Sequence, residues 1–164
     1  FYTKKSEAYA DILYRRGGSF ERLGRYDESD EDLLGSLKIR PEDPYTLNYL
    51  AYGWLERGKK IEEAIEMLNK AYEQKKNDPY ITDSVGWGYY LIGDYVNAEK
   101  YLKRAVELLP DDPIAGDHYG DVLWKLDRKL QAIYFWESAL KSDEADKKMK
   151  ENIKIKLLNG LENI

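Results

Sequence analysis

Apolar residues recur along this chain at spacings of three and four, in blocks broken by glycine, proline or aspartate. That spacing places them on one face of a helix. The pattern predicts a lead-in over residues 1 to 5, then a helix from about Ser6 to Leu23 and another from Tyr26 to about Ile39. Pro41-Glu-Asp-Pro44 makes a turn, because proline cannot continue a helix. A helix follows from about Pro44 to Arg57, then Gly58-Lys59-Lys60, then a helix to about Gln74. From Pro79 to Asp112, PYITDSVGWGYYLIGDYVNAEKYLKRAVELLPDD, two amphipathic helices are broken once, at Gly93-Asp94. The stretch from Pro113 to about Lys141 repeats this arrangement with its break at Asp127-Arg128. A final helix, capped by Asp143 or Ser142, runs to about Asn159.

The blocks are copies of one another. A shift of 34 residues carries Pro79 onto Pro113, Gly86 onto Gly120, Ala98 onto Ala132, Leu102 onto Trp136 and Ala105 onto Ala139. Pro44 and Pro79 are 35 apart while Ala64 and Ala98 are 34 apart, so one extra residue lies between Gly58 and Ile61. Small residues recur where helices must approach closely: Ala64, Ala98 and Ala132 on second helices, Ala51, Gly86 and Gly120 on first helices. Glycine inside a helix costs about 1 kcal/mol relative to alanine, so its return at Gly86 and Gly120 implies contacts with no room for a Cβ. Leu68, Leu102 and Trp136 fill the space one turn on. The first block is irregular, with Arg16, Ser29, Asp30 and Ser36 at or near packing positions, and is expected to be the least stable part.

Composition narrows the function. The chain carries a net charge of −5, which argues against a nucleic-acid binder needing a basic stripe. No apolar run reaches the roughly 18 residues of a membrane span. There is no cysteine, so the redox compartment stays open. The start at Phe1 reads as a piece cut from a larger protein, its targeting segment missing; bacterial cytoplasm and periplasm remain equally open.

Gly-Asp-Tyr before Ala98, with Leu102, Ala105 and Pro110, resembles the tetratricopeptide-repeat (TPR) consensus, and the resemblance covers about residues 10 to 144. The segments TLNYLAYGWLERG, DSVGWGYYLIGDY and DHYGDVLWKLDRKLQAIYFWESAL are similar to C-terminal repeats of long proteobacterial multi-TPR proteins. The family's early tryptophan is replaced by Leu13, Leu47, Thr82 and Gly116. The resemblance implies an all-α, right-handed α-α superhelix of helix-turn-helix repeats. It would be a single domain with repeats at about 10–43, 44–78, 79–112 and 113–144 and a capping helix at about 145–160. It also implies a partner-binding scaffold without catalytic activity.

In such a stack the first helices line the concave face. The inward stripes then read Asp11, Tyr14, Gly18 and Glu21; Tyr45, Asn48, Tyr52 and Leu55; Tyr80, Asp83, Trp87 and Tyr90; Ile114, Asp117, Asp121 and Trp124. Aromatic rings dominate binding hot spots, and carboxylates beside them favour a cationic partner. Tyr14, Tyr45, Asn48, Tyr52, Tyr80, Asp83, Trp87, Tyr90, Asp117, Asp121 and Trp124 are therefore the candidate partner-binding residues, for a protein or peptide with basic and apolar side chains. The family's clamp for a C-terminal carboxylate needs Lys and Arg here, and only Asn48 is present, so a chaperone-tail receptor is not predicted. The alternative is an architectural or self-association module whose groove is filled by flanking segments or a second copy.

Other signals carry less. Asp117 and Asp121, at i and i+4, resemble paired carboxylates for acid–base work or a hard cation. No glycine-rich loop, histidine pair or nucleophile accompanies them, so no catalytic, metal or cofactor site is predicted. His118, the single histidine, reads as a packing or polar contact beside Tyr119. The run DESDED, Asp27 to Asp32, reads as a solvated face at a helix start. The last helix carries a Met149, Ile153, Leu157 and Leu161 stripe and an excess of lysine, as expected of a cap; a membrane surface or a partner is the alternative reading of its basic face.

Overall fold

A computed structural model describes residues 4–161. Every regular element among them is a helix: α1 (Lys4–Arg22), α2 (Tyr26–Ile39), α3 (Pro44–Glu56), α4 (Ile61–Gln74), α5 (Pro79–Leu91), α6 (Tyr95–Leu108), α7 (Pro113–Lys125), α8 (Lys129–Lys141) and α9 (Lys147–Asn159). Most of the expected lead-in lies outside the described residues, and α1 is already helical at Lys4. No described helix is long and apolar enough to cross a membrane. Consecutive helices pair, α1 with α2, α3 with α4, α5 with α6 and α7 with α8. The pairs gather into two compact units, one ending at Lys76 and the other beginning at Asn77.

The first unit holds α1 to α4 around Leu13, Leu33, Leu47, Leu50, Trp54 and Leu68. The extra residue falls where the sequence places it: Gly58 and Lys60 both have positive φ, 64° and 44°, whereas the turn after α1 needs only Gly24. The irregular first repeat is not poorly packed. Ser36 is fully buried and donates to the Ala10 carbonyl at 3.0 Å. Arg16 holds buried Asp32 through two hydrogen bonds of 2.6 and 2.7 Å. Asp30 accepts from Trp54 Nε1 at 3.0 Å and from Arg57 at 2.6 Å. The DESDED run is thus only partly a solvated face. Asp27 and Glu31 are exposed, but Asp32 is buried and Asp30 half-buried, because cations from other helices reach them.

The second unit holds α5 to α9 around Leu102, Tyr119, Val122, Leu123, Trp136 and Ile153. Its helices touch at the small-residue positions. A Cβ on Gly86 would lie 2.6 Å from Leu102 Cγ and 3.0 Å from the Leu102 backbone nitrogen. On Gly120 it would overlap the Trp136 ring, which is fully buried.

Four first helices begin alike. Asp43, Asp78, Asp112 and Asp146 each cap their helix by accepting backbone N–H groups, which satisfies donors the helix leaves open. Asp146, not Asp143 or Ser142, therefore caps α9. Ser142 instead accepts from the Glu144 N–H. Asp146 follows Asp112 by one repeat length, so α9 is in register with the first helices, and it packs on α8 as α7 packs on α6. The column of Ala51, Gly86 and Gly120 is continued in α9 by exposed Lys154.

Urea unfolding tests the close approaches. Gly120→Val should cost about 1–3 kcal/mol through overpacking, and Trp136→Ala about 3–5 kcal/mol through the cavity it leaves. At Gly53, where a Cβ would meet only Arg57 at 3.7 Å, Gly53→Ala should be neutral or stabilising by up to about 1 kcal/mol. Equal losses at Gly53 and Gly120 would refute the packing account.

Candidate partner-binding surface

In the second unit, α5 and α7 bring Asp83, Trp87 and Tyr90 against His118. The Trp87 indole stacks on Tyr90, centroids 4.7 Å apart, and on the imidazole of His118, 4.0 Å apart. His118 Nδ1 lies 2.9 and 3.1 Å from the two Asp83 oxygens, and both side chains are buried. Burial disfavours the charged imidazole, but the Asp83 carboxylate more than offsets it, and the His118 pKa rises to about 9. The histidine is a cation locked in place by an acid.

Asp117 and Asp121 are also occupied. Lys156 of α9 donates to Asp117 at 2.8 Å and to both oxygens of Asp121 at 2.8 and 2.9 Å. Trp136 Nε1 donates to Asp121 at 2.9 Å. Burial opposes the Lys156 charge, yet Asp121 and Asp117 together raise its pKa. Burial raises the pKa of Asp121; the ammonium works against that and the second carboxylate adds to it. Trp124 stacks on Trp136 at 5.3 Å, with the α9 terminus over it at Gly160. Burial, with Asp121 next, also raises the pKa of the half-buried Tyr90.

In the first unit, Tyr14 meets Tyr49 edge-on at 5.9 Å. Tyr45 is exposed, with the Lys75 ammonium 5.7 Å from its ring centre. Tyr52 is half-buried, and so is Asn48, whose buried Oδ1 accepts no hydrogen bond. Arg40 reaches Asp11 at 2.7 Å.

These contacts correct the expected electrostatics. The stripes hold no lysine or arginine, but cations arrive from other helices: His118 pairs with Asp83, and Asp117 and Asp121 share the single Lys156 ammonium. His118 is an ion-pair partner beyond its packing role. Lys156 had one readable signal: a shift of one and two repeats carries it onto Val122 and Gly88, a column otherwise small or apolar. What stays open to a partner is aromatic and aliphatic: Tyr80 is 60% exposed, Tyr45 48% and Ile114 41%.

The family model for the tetratricopeptide repeat matches residues 10–43, the very repeat whose polar core looks least regular in sequence. A TPR repeat-containing protein of Pseudomonas aeruginosa is 32% identical over 111 residues, 68% of this chain. The chain belongs to the tetratricopeptide-repeat family. It spans only 19% of the length of that Pseudomonas relative. Human aspartyl/asparaginyl beta-hydroxylase is 31% identical over 77 residues, 47% of this chain and 10% of that enzyme. Among solved structures, MamA of Desulfovibrio magneticus superposes with a TM-score of 0.70 at 17% identity, covering 84% of this chain and 77% of that one. The first TPR domain of Spaghetti, bound to an HSP90 peptide, superposes with a TM-score of 0.67 at 21% identity, covering 74% and 95%. These superpositions show a shared fold.

The Asp83–His118 pair makes TPR stability depend on pH. The folded pKa lies above the ordinary value of 6.5, so the pair stabilises fully below pH 6.5 and its contribution is lost as pH rises through about 9. Asp117 and Asp121 also face this imidazole and act in the same direction. Urea midpoints should fall across that window in the wild type and stay flatter in Asp83→Asn; equal slopes would exclude a charged His118. Lys156→Met, which leaves two acids without their cation, should cost about 3–5 kcal/mol.

Proposed function

We propose that this chain is a non-enzymatic scaffold whose first-helix faces hold an extended or helical segment of another protein. The observation carrying the proposal is the set of rings at those faces. Tyr80 lies open on α5, where the Trp87 indole stacks on Tyr90 and on His118, and Tyr45 lies open on α3. Rings held in position before binding give large contact area at low entropic cost. The peptide complex of the Spaghetti domain supports the same use of the fold.

Selection in this reading is apolar. With Asp83, Asp117 and Asp121 held by His118 and Lys156, the faces offer little field to attract a basic segment. The same pairing argues against acid–base chemistry, since the Lys156 ammonium lies where a substrate proton or cation would have to sit. One observation favours the architectural alternative: at α7 the chain's own Lys156 fills the space between the stripe acids. At α5, Tyr80 has no such cover.

Capture from native extract tests the proposal, comparing the wild type with Tyr80→Ser, Tyr45→Ser and, as a still more exposed apolar control on α8, Leu130→Ser. A protein retained by the wild type and the control but lost with Tyr80→Ser or Tyr45→Ser is the expected result. Retention should change little between low and physiological salt, because exposed charges are not what holds the partner. Equal capture by all four forms, or steep loss with salt, refutes this reading.

A further inference from the structure

The outer face of α1 carries an inference that does not rest on the rings at Tyr45 and Tyr80. Tyr9, Ile12, Arg16, Ser19 and Leu23 recur at spacings of three and four, so they share one side of the chain's first helix. All are exposed, Ile12 at 56% and Leu23 at 70%.

The other repeats show how this side of a first helix is used. A shift of 34 residues carries Ile12 onto Thr46 and Arg16 onto Leu50, both in α3. In α7 the same columns hold Ala115 and Tyr119. These four are buried, and α3 and α7 each have the second helix of the preceding pair, α2 or α6, packed on them. Ile81 and Val85, at the same places in α5, are buried too. Among the described first helices, only α1 leaves both columns open.

Charge says what fits there. α1 carries five basic residues against three acidic, and α2 five acidic against one basic. The two helices pack side by side. Glu31 of α2 lies on the same side as the α1 stripe: Asp32 holds Arg16 most strongly, and Tyr9 and Glu31 are near enough to add to that attraction. Arg15, next to the stripe, and Glu31 are both exposed. One surface therefore presents a positive strip carrying Ile12 and Leu23 beside a negative strip.

Such a surface is complementary to itself. Turned about a two-fold axis, it sets the α1 strip of one copy on the α2 strip of the other, and the reciprocal contact forms at the same time. We propose that two copies of this chain pair in this way, with α1 of each packed against α2 of the other and Ile12 covered as its counterparts are covered within the chain. The contact is small. α1 has 19 residues, hence a length of about 28 Å, and two adjacent helices are about 20 Å across. The footprint is then roughly 560 Å² per copy, below the roughly 800 Å² of a standard interface, so the dimer is a weak and reversible one.

Sedimentation equilibrium of the 164-residue chain from about 5 µM to about 0.5 mM tests the pairing, since an interface of this size dissociates in that span. A monomer–dimer equilibrium is expected, weakening as salt rises from about 20 to about 500 mM because exposed charges are screened. Ile12→Ser should weaken association about tenfold by removing apolar contact from both halves of the interface. Arg15→Glu and Glu31→Arg should each weaken it about tenfold or more, because like charges then oppose one another twice. Thermal midpoints should not move, as all three side chains are exposed. An equimolar mixture of the two charge variants should regain wild-type association, since each then meets its opposite. A monomer at every concentration, a dimer indifferent to these variants, or a mixture no tighter than its components would each overturn the proposal. So would a dimer lost with Tyr80→Ser or Tyr45→Ser instead, which would place the contact at the rings.

Discussion

Two helices can lie as close as α5 and α6 do only where one of them has no side chain in the way. Gly86 meets the Leu102 side chain and its backbone nitrogen, and Gly120 meets Trp136, at separations that exclude a Cβ. Everything else on the first helices follows from that contact. It fixes which face of α5 and α7 is buried against the second helix, and so which face is left for anything else. When the same column reaches Lys154 in α9, the bare backbone is replaced by an exposed, charged side chain, while the capping register is kept by Asp146.

The remaining face is less charged than its residues suggest. Each acid on the second unit's stripe has a cation placed to meet it, His118 for Asp83 and Lys156 for Asp117 and Asp121. Buried charges of one sign without such partners would be costly. Once paired, they anchor α9 to α7 and clamp the imidazole under Trp87, so that the rings are held rigidly while the acids lose their reach. A surface that reads as openly acidic in one dimension has its second-unit acids engaged within the chain in three.

Repetition also makes the chain its own reference. Because the columns are equivalent, a departure in one repeat has a meaning that an isolated residue lacks. Lys156 on the column of Val122 and Gly88 is explained by the two acids it reaches. The buried polar residues of the first repeat follow the same logic. Ser36 and Asp32 stand where other repeats place apolar side chains, and each is met by a backbone carbonyl or a guanidinium.

The sequence by itself determined the helices, their pairing, the displaced residue between Gly58 and Ile61 and the need for bare backbone at Gly86 and Gly120. Periodicity, turn chemistry and helix propensity act over a few residues and repeat every 34, so they are visible in one dimension. It also identified the rings that line the first helices, since helical spacing alone places Tyr45, Tyr80 and Trp87 on one stripe of their own helix. Only the tertiary structure decided which charges remain available. Asp83 and His118 are 35 residues apart, and Lys156 lies 35 and 39 residues from the acids it neutralises. Whether two such groups meet depends on how helices stack and how far a side chain reaches, and spacing within one helix carries no trace of either.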